Sequence, residues 1–460
     1  MIKSSLPATL TEELFHKLLD ANRAFDRHYP GDSTARQPIH TVYGGAQLFK
    51  AESCQKLGVI ALASLSDYAP DCDVFGKVIG LRDELSVKVY NRVIQKLKSE
   101  AVEDFRIDFE DGYGYRLDAE EDGHAESAAL ELARGMKEKI LPPFVGIRVK
   151  ALNEQLKHRS ARTLDIFLTT LLQASSGQLP DNFVVTLPKV TIPEQVTCFV
   201  GLLKLFEHNN NLLLGTLKLE LMIEQTQSIM NGSGQCNLPL LVEAAEGRCV
   251  AAHFGTYDYT ASCDITAHHQ RMDHPSCEFA RHLIKVSLAG TGIWLSDGAT
   301  NLMPVGPHRA VKGAVLSAGE KAENQEVVHR GWKLAYEHTR HSLEMGYYQG
   351  WDLHPAQLPV RYAACYAFFL EGLEAASARL KSFMEKAAQA TLVCDVFDDA
   401  ASGQGLLNYF LRAINCGAIT EDDLRATGLT LEEIQTRSFL EILEGRRRLE
   451  SKPVPKRDSK

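Results

Sequence analysis

The sequence predicts an α/β protein: a closed (β/α)8 barrel with a helical N-terminal arm and a helical C-terminal extension. Three observations lead there. Eight short apolar runs, rich in β-branched and aromatic residues, alternate with helix-like stretches, the pattern of βαβ units and a parallel sheet. Polar residues recur at the C-terminal ends of successive runs: Glu110 and Asp111, Arg148, Lys189, Glu224, Asp258, Asp297 and His354. Their spacing is 34 to 41 residues as far as Asp297 and 57 to His354, about one βα unit with a generous loop each time. In a barrel those ends converge on the catalytic face. Finally, the 460 residues exceed the roughly 250 of one barrel, and the surplus is helical. A count of strands alone leaves an open doubly wound sheet in play. The register of the strand-end charges favours closure.

Taken in order, residues 1–37 read as a helical arm, with Thr11 capping a helix over 11–25. The barrel is assigned to residues 38–360. Its strands are expected at 41–46, 105–110, 144–150, 183–189, 219–225, 250–257, 292–297 and 350–354. A ninth apolar run, 59–65, fits a strand or a buried helix. Residues 84–99 carry apolar positions at helical spacing, and 125–139 are rich in good helix formers. Residues 361–460 form a third region of Leu/Ala-rich amphipathic helices, with the last ten residues read as disordered.

Composition narrows the function classes. With 50 Lys+Arg against 59 Asp+Glu the net charge is −9, which argues against a nucleic-acid binder that neutralises phosphates. The 45% hydrophobic and 24% charged content is that of a folded globular chain. Ten cysteines include no C-x-x-C pair, so they read as reduced thiols of a cytoplasmic protein. No signal peptide and no run of 18 apolar residues is found, so no membrane partner is expected. P-loop, strand-linked G-x-G-x-x-G and G-x-S-x-G motifs are missing, against nucleotide, dinucleotide and common serine-hydrolase chemistry.

The remaining candidates are charged strand ends. Glu224 and Asp258 close neighbouring strands and together suit Mg2+, which takes few protein ligands and keeps open octahedral positions. Such an ion could hold a 2-keto acid and stabilise charge on C–C cleavage. Glu220 lies on the same strand face as Glu224 and ranks second as a ligand. The other reading pairs Glu224 with Lys189 or Arg148. Arg148 suits a substrate carboxylate or an ion pair with Asp108 or Glu110. Asp108, Glu110 and Asp111 crowd one turn beside Gly112 and Gly114, suggesting metal waters or a network around Arg148. Gly44, Gly45 and Gly255 permit close backbone approach to a ligand. His354 is placed for acid–base work or for locking its loop. His268, His269, His274 and His282 match no zinc spacing, and Asp273 reads as a helix cap before Pro275.

The motifs TVYGGAQLFK, RIDFEDGYG, GIRVKAL, VVTLPKV, LMIEQTQSI, HFGTYDYTAS, GIWLSDG and GYYQGWDLHPAQLP, in this order over about residues 38–360, resemble the citrate lyase β-subunit / HpcH–HpaI aldolase family. A long variant of that family, a domain of unknown function, resembles nearly the whole chain. The resemblance implies a modified TIM barrel of the phosphoenolpyruvate/pyruvate superfamily, a homo-oligomer using Mg2+ or Mn2+ on a small anionic substrate. By motif match Glu224 and Asp258 are similar to the metal ligands and Arg148 to the carboxylate clamp. Glu110 and Asp111 are similar to the acidic pair near the metal waters, with Lys189 at the periphery. Lys150 stands where the family has Asn, and Gln225 where it has Thr. A CoA ester is therefore not assumed as partner, and Lys150 is assigned to a free, more anionic substrate. The function expected is a metal-dependent carbon–carbon lyase or aldolase. Its rivals are a thioester hydrolase, condensing enzyme or phosphoenolpyruvate-using enzyme on the same barrel, and a non-catalytic binding protein. The general base stays open between His354, metal-bound hydroxide and a neighbouring subunit.

Overall fold

The computed structural model describes residues 5–31, 33–310, 315–385, 391–393, 396–398, 400–436 and 438–450. Eight strands form the barrel: β1 (His40–Gly45), β2 (Asp104–Asp108), β3 (Phe144–Arg148), β4 (Phe183–Leu187), β5 (Lys218–Ile223), β6 (Cys249–Phe254), β7 (Trp294–Ala299) and β8 (Gln349–Asp352). All neighbours run parallel, in sequence order, and β8 pairs back to β1 through His40 opposite Gly350. The expected (β/α)8 barrel is therefore the observed fold. Every residue of β2, β3 and β4 is buried, as in a sheet covered on both faces.

The crossover helices supply the cover. Between β1 and β2 run α2 (Ser53–Tyr68), α3 (Cys72–Ile79) and α4 (Asp83–Ser99). The ambiguous run at 59–65 lies inside α2, whose buried residues Cys54, Gly58, Ala61 and Leu65 recur every three or four positions, one helical face. After β2 comes α5 (Asp118–Glu138), which starts earlier than its Ala-rich centre because Asp118, Glu120 and Glu121 favour a helix N-terminus. Then follow α6 (Lys157–Ala174), α7 (Pro193–Asn209), α8 (Thr226–Ile229), α9 (Leu238–Ala244), α10 (Thr256–Ser262), α11 (Pro275–Leu288) and α12 (Ala318–Glu344), in their βα positions.

The ends are helical, with local corrections. The first helix, α1 (Ala8–His28), has Pro7 at its N-cap, not Thr11. The Thr11 hydroxyl lies inside the first turn and donates to the Pro7 carbonyl at 2.9 Å. Beyond the barrel stand α13 (Leu358–Glu385), a two-stranded antiparallel ribbon of β9 (Thr391–Val393) and β10 (Val396–Asp398), then α14 (Ala400–Asn415), α15 (Glu421–Arg425), α16 (Leu431–Thr436) and α17 (Phe439–Glu450). The ribbon has no counterpart in the helical reading of this region. α13 buries Tyr362, Ala363, Cys365 and Tyr366 in the main core, and Tyr362 donates to the Ala101 carbonyl at 3.1 Å. The disorder expected at 451–460, and Cys394, lie outside the described residues; the other nine cysteines are free thiols. No described helix is long and apolar enough to cross a membrane.

The lumen is polar rather than filled by branched apolar layers. Arg106 donates from Nε and Nη2 to the two Glu220 oxygens, both at 2.8 Å, and also pairs with Asp104. Thr41 donates to Asp104 at 2.8 Å, His253 Nε2 lies 3.1 Å from Glu220, and the Tyr43 hydroxyl is 3.3 Å from His253 Nδ1. Such a network tolerates burial because its members satisfy one another. Glu220, the second-ranked metal ligand, is thus spent on Arg106, His253 and Thr186.

Candidate active site

The C-terminal mouth is built from five strand ends, β2 to β6. After β2 the chain turns sharply around the Asp108 carboxylate, which accepts the amides of Glu110 at 2.9 Å and Gly112 at 2.7 Å. A Cβ on Gly112 would stand 2.6 Å from Asp108 Oδ2, so only glycine closes this turn. Asp108 is then positioned to hold Arg148, the last residue of β3, through Nε at 2.7 Å and Nη2 at 2.5 Å. The third guanidinium nitrogen, Nη1, faces Glu110 at 3.3 Å and Asp111 at 3.9 Å. The Tyr43 ring lies under the guanidinium, 4.7 Å from its carbon, a cation–π contact. Arg148 therefore carries the ion pair with Asp108 along one edge and keeps one nitrogen toward the mouth.

Lys189 joins the other two strand ends. It follows β4 with φ +50°, a conformation uncommon outside glycine. Its backbone amide donates to Glu224 Oε1 at 2.8 Å. Its ammonium lies 2.7 Å from Glu110, 2.9 Å from Asp111 and 3.3 Å from Asp258. Glu224 follows β5 and is 1% exposed. The β6 end makes room for it, since a Cβ on Gly255 would meet Glu224 Cβ at 2.5 Å and Oε2 at 2.7 Å. Asp258 sits in the first turn of α10.

Five carboxylates, Asp108, Glu110, Asp111, Glu224 and Asp258, thus face two cations, Arg148 and Lys189. Burial, more than the balance of charge, sets their acidities. Burial, with Asp258 and Glu110 nearby, pushes Glu224 up to about 8 despite Lys189 and Arg148. Burial pushes Glu110 up to about 7 against the pull of Arg148 and Lys189. For Asp111 burial works upward, yet the Glu110 contact, Lys189 and Arg148 outweigh it and hold it below the usual range. Burial disfavours the Lys189 charge, but Glu224, Glu110 and Asp111 keep the ammonium protonated well beyond its ordinary range.

The structure therefore brings together Glu110, Asp111, Arg148, Lys189, Glu224 and Asp258, with Gly255 backing Glu224. Two predicted residues stand apart. Lys150 turns outward from the mouth, donating to the Phe109 carbonyl at 2.5 Å and lying 3.2 Å from Glu121 of α5. Strand alternation would put it on the face of Arg148, but it lies past the end of β3, where that alternation no longer holds. His354 accepts the Ala356 amide at 3.1 Å and caps a short turn at 355–357. Burial and Arg309 lower its basicity, and its side chain bonds the Ala356 amide rather than the carboxylates of the mouth. In the histidine segment His274, not Asp273, caps α11 by accepting the Ser276 amide, while Asp273 pairs with Arg271. Asp297 lies within β7, fully buried, bonded to Arg281 at 3.2 Å and Ser342 at 2.6 Å behind the barrel. Tyr43 and His253 escaped the sequence reading. Their only signal was bulk at lumen-facing positions in strands of small residues. Among the described residues no group of three or more His, Cys, Asp or Glu is arranged to hold a metal ion.

Residues 18–442 match the family described as Domain of unknown function (DUF6986). The chain belongs to that family. Among solved structures, a citrate lyase from Burkholderia xenovorans LB400 superimposes with a TM-score of 0.52 at 18% identity, covering 86% of this DUF6986 chain and 97% of that one. At this identity the likeness is one of fold. A Haloferax volcanii malate synthase, a lead(II) complex, aligns with a TM-score of 0.44 at 13% identity over 88% of this chain and 97% of its own. No curated protein matches the chain.

Proposed function

We propose that this DUF6986 chain is a divalent-metal-dependent carbon–carbon lyase or aldolase acting on a 2-keto acid or a related carboxylate. One observation carries the proposal: a mouth with five carboxylates and two cations, in which burial keeps Glu224 protonated up to about pH 8. The donor set suits Mg2+ or Mn2+, hard ions that accept one or two carboxylates and keep water or substrate in the other positions. Glu224 and Asp258 would hold the ion, with Gly255 letting the Glu224 side chain pack against the end of β6. When bound, the ion would polarise a keto oxygen and stabilise the negative charge that develops there on cleavage. The ordered motif resemblance and the fold shared with a citrate lyase at 18% identity support the same class.

The chain's own side chains take the remaining roles. Arg148, fixed by Asp108 and Tyr43, offers Nη1 to a substrate carboxylate. Lys189 balances the acidic wall and adds a second attraction for an anion. Glu110, buried and titrating near 7, is matched to exchange a proton with substrate at neutral pH. The test is a panel of oxaloacetate, citramalate, malate and acyl-CoA esters with Mg2+, run on the wild type and Glu224→Ala beside Mg2+ calorimetry. Metal-dependent cleavage of one acid, lost with the Mg2+ affinity in Glu224→Ala, is the expected result. Turnover and Mg2+ affinity unchanged by the substitution overturn the assignment.

A further inference from the structure

The opposite, N-terminal end of the barrel is not plugged. A cavity of about 340 Å3 opens there, lined by the first residue of each of seven strands, β2 to β8. It lies a strand length from the catalytic mouth, about 15 Å at 3.3 Å per residue. The segment carrying Ser33, Ala35 and Pro38 and the turn at 291–293 cover it. Its volume is within the range of small-molecule pockets, whereas side chains normally fill a barrel of this kind.

The walls and floor divide by chemistry. Phe144, Phe183, Ile293 and Trp294 make an apolar, mostly aromatic wall, with Phe144 and Trp294 edge to face at 5.9 Å. The floor is the Asp104–Arg106–Glu220 cluster, whose groups already bond one another, Thr41, Thr186 and His253. Its guanidinium is spent on both carboxylates, so it offers a ligand no unpaired donor. One cation at the cavity is unspent. Lys218, the first residue of β5, is half-buried and pairs with no carboxylate among the described residues. A lone cation beside an aromatic wall calls for one negative group on a compact flat body.

We infer that the N-terminal mouth is a second small-molecule site, distinct from the catalytic mouth, which takes a single-ring aromatic monocarboxylate. Its carboxylate meets Lys218, and its ring packs on Phe144 and Phe183. The inference stands independently of the reaction assigned to the other end.

Phenylacetate and benzoate are titrated into the full chain by calorimetry, with Trp fluorescence as a second readout. Saturable binding at one site is expected, at least tenfold weaker in Lys218→Met and restored in Lys218→Arg. Thermal unfolding of both variants verifies that they fold. Three results overturn the inference: no saturable binding of either acid, affinity within twofold of wild type in Lys218→Met, or displacement of the bound acid by oxaloacetate with Mg2+, which would locate it at the catalytic mouth.

Discussion

The amide of Lys189 donates to Glu224 at 2.8 Å while its ammonium lies within 3.3 Å of Glu110, Asp111 and Asp258. One residue in a left-handed conformation therefore ties three strand ends together and places a charge amid the carboxylates proposed for a metal. The ammonium and a divalent cation compete for the same negative charge. Lys189→Met should bind Mg2+ about tenfold more tightly by calorimetry, a change of about 1.4 kcal/mol. In EDTA the same variant should melt below the wild type, because Glu110, Asp111 and Asp258 are left to repel one another. An Mg2+ affinity equal to or weaker than wild type would show that Lys189 assists the metal site instead of opposing it.

Arg148 and Asp108 make the tightest pair of the mouth. Both are buried, at 4% and 0% exposure, and two parallel bonds of 2.7 and 2.5 Å join them. Removing one partner strands a buried charge, which typically costs about 3–5 kcal/mol. Asp108→Asn and Arg148→Gln should each lose stability on that scale in urea titrations. The double variant should recover much of it, so the two losses should not add. Strict additivity would mean that the pair acts independently.

The motifs were legible in the sequence where chemistry and strand period coincide. Arg148, Glu224 and Asp258 each stand at or just past a strand end, and the repeat of the βα unit brought them to one face. The period could not show which way a residue points once the strand has ended. Lys150 is two residues past Arg148, yet it swings to Glu121 on α5. Asp297 kept the spacing but sits inside β7, answering to Arg281 on α11. Tyr43 and His253 matter through partners on other strands, Arg148 and Glu220, which no local pattern encodes. The β9–β10 ribbon was missed because its strands have three residues each, too short for alternation to register.

Lys150 provides a test of that outward turn. Its ammonium bonds the Phe109 carbonyl, lies 3.2 Å from Glu121, which is 1% exposed, and sits over the Tyr113 ring at 5.0 Å. These contacts brace the loop after β2 against α5. Lys150→Met should therefore lower stability by roughly 2 kcal/mol, the scale of a lost charged hydrogen bond in a buried setting. The KM for the carboxylate substrate should stay within about twofold. A large KM increase at unchanged stability would return Lys150 to the substrate.

The raised pKa of Glu224 makes a prediction about pH with a definite sign. Burial moves this carboxyl from an ordinary 4.5 to about 8 in the folded chain. Between those values the folded state holds a proton that the unfolded state has released, so stability falls as pH rises. The contribution is complete below about 4.5 and is lost as pH climbs through 8. Glu224→Gln, neutral throughout, escapes that loss. In EDTA the melting temperature of Glu224→Gln minus that of wild type should thus grow from pH 5 to pH 8.5, by at least about 2 °C. Saturating Mg2+ should reverse the trend in the wild type alone. The ion needs the ionised carboxylate, so its stabilising effect should increase with pH across the same interval. A temperature difference that stays flat with pH, in EDTA, would show that Glu224 is ionised without any metal and that Lys189 and Arg148 neutralise the mouth by themselves.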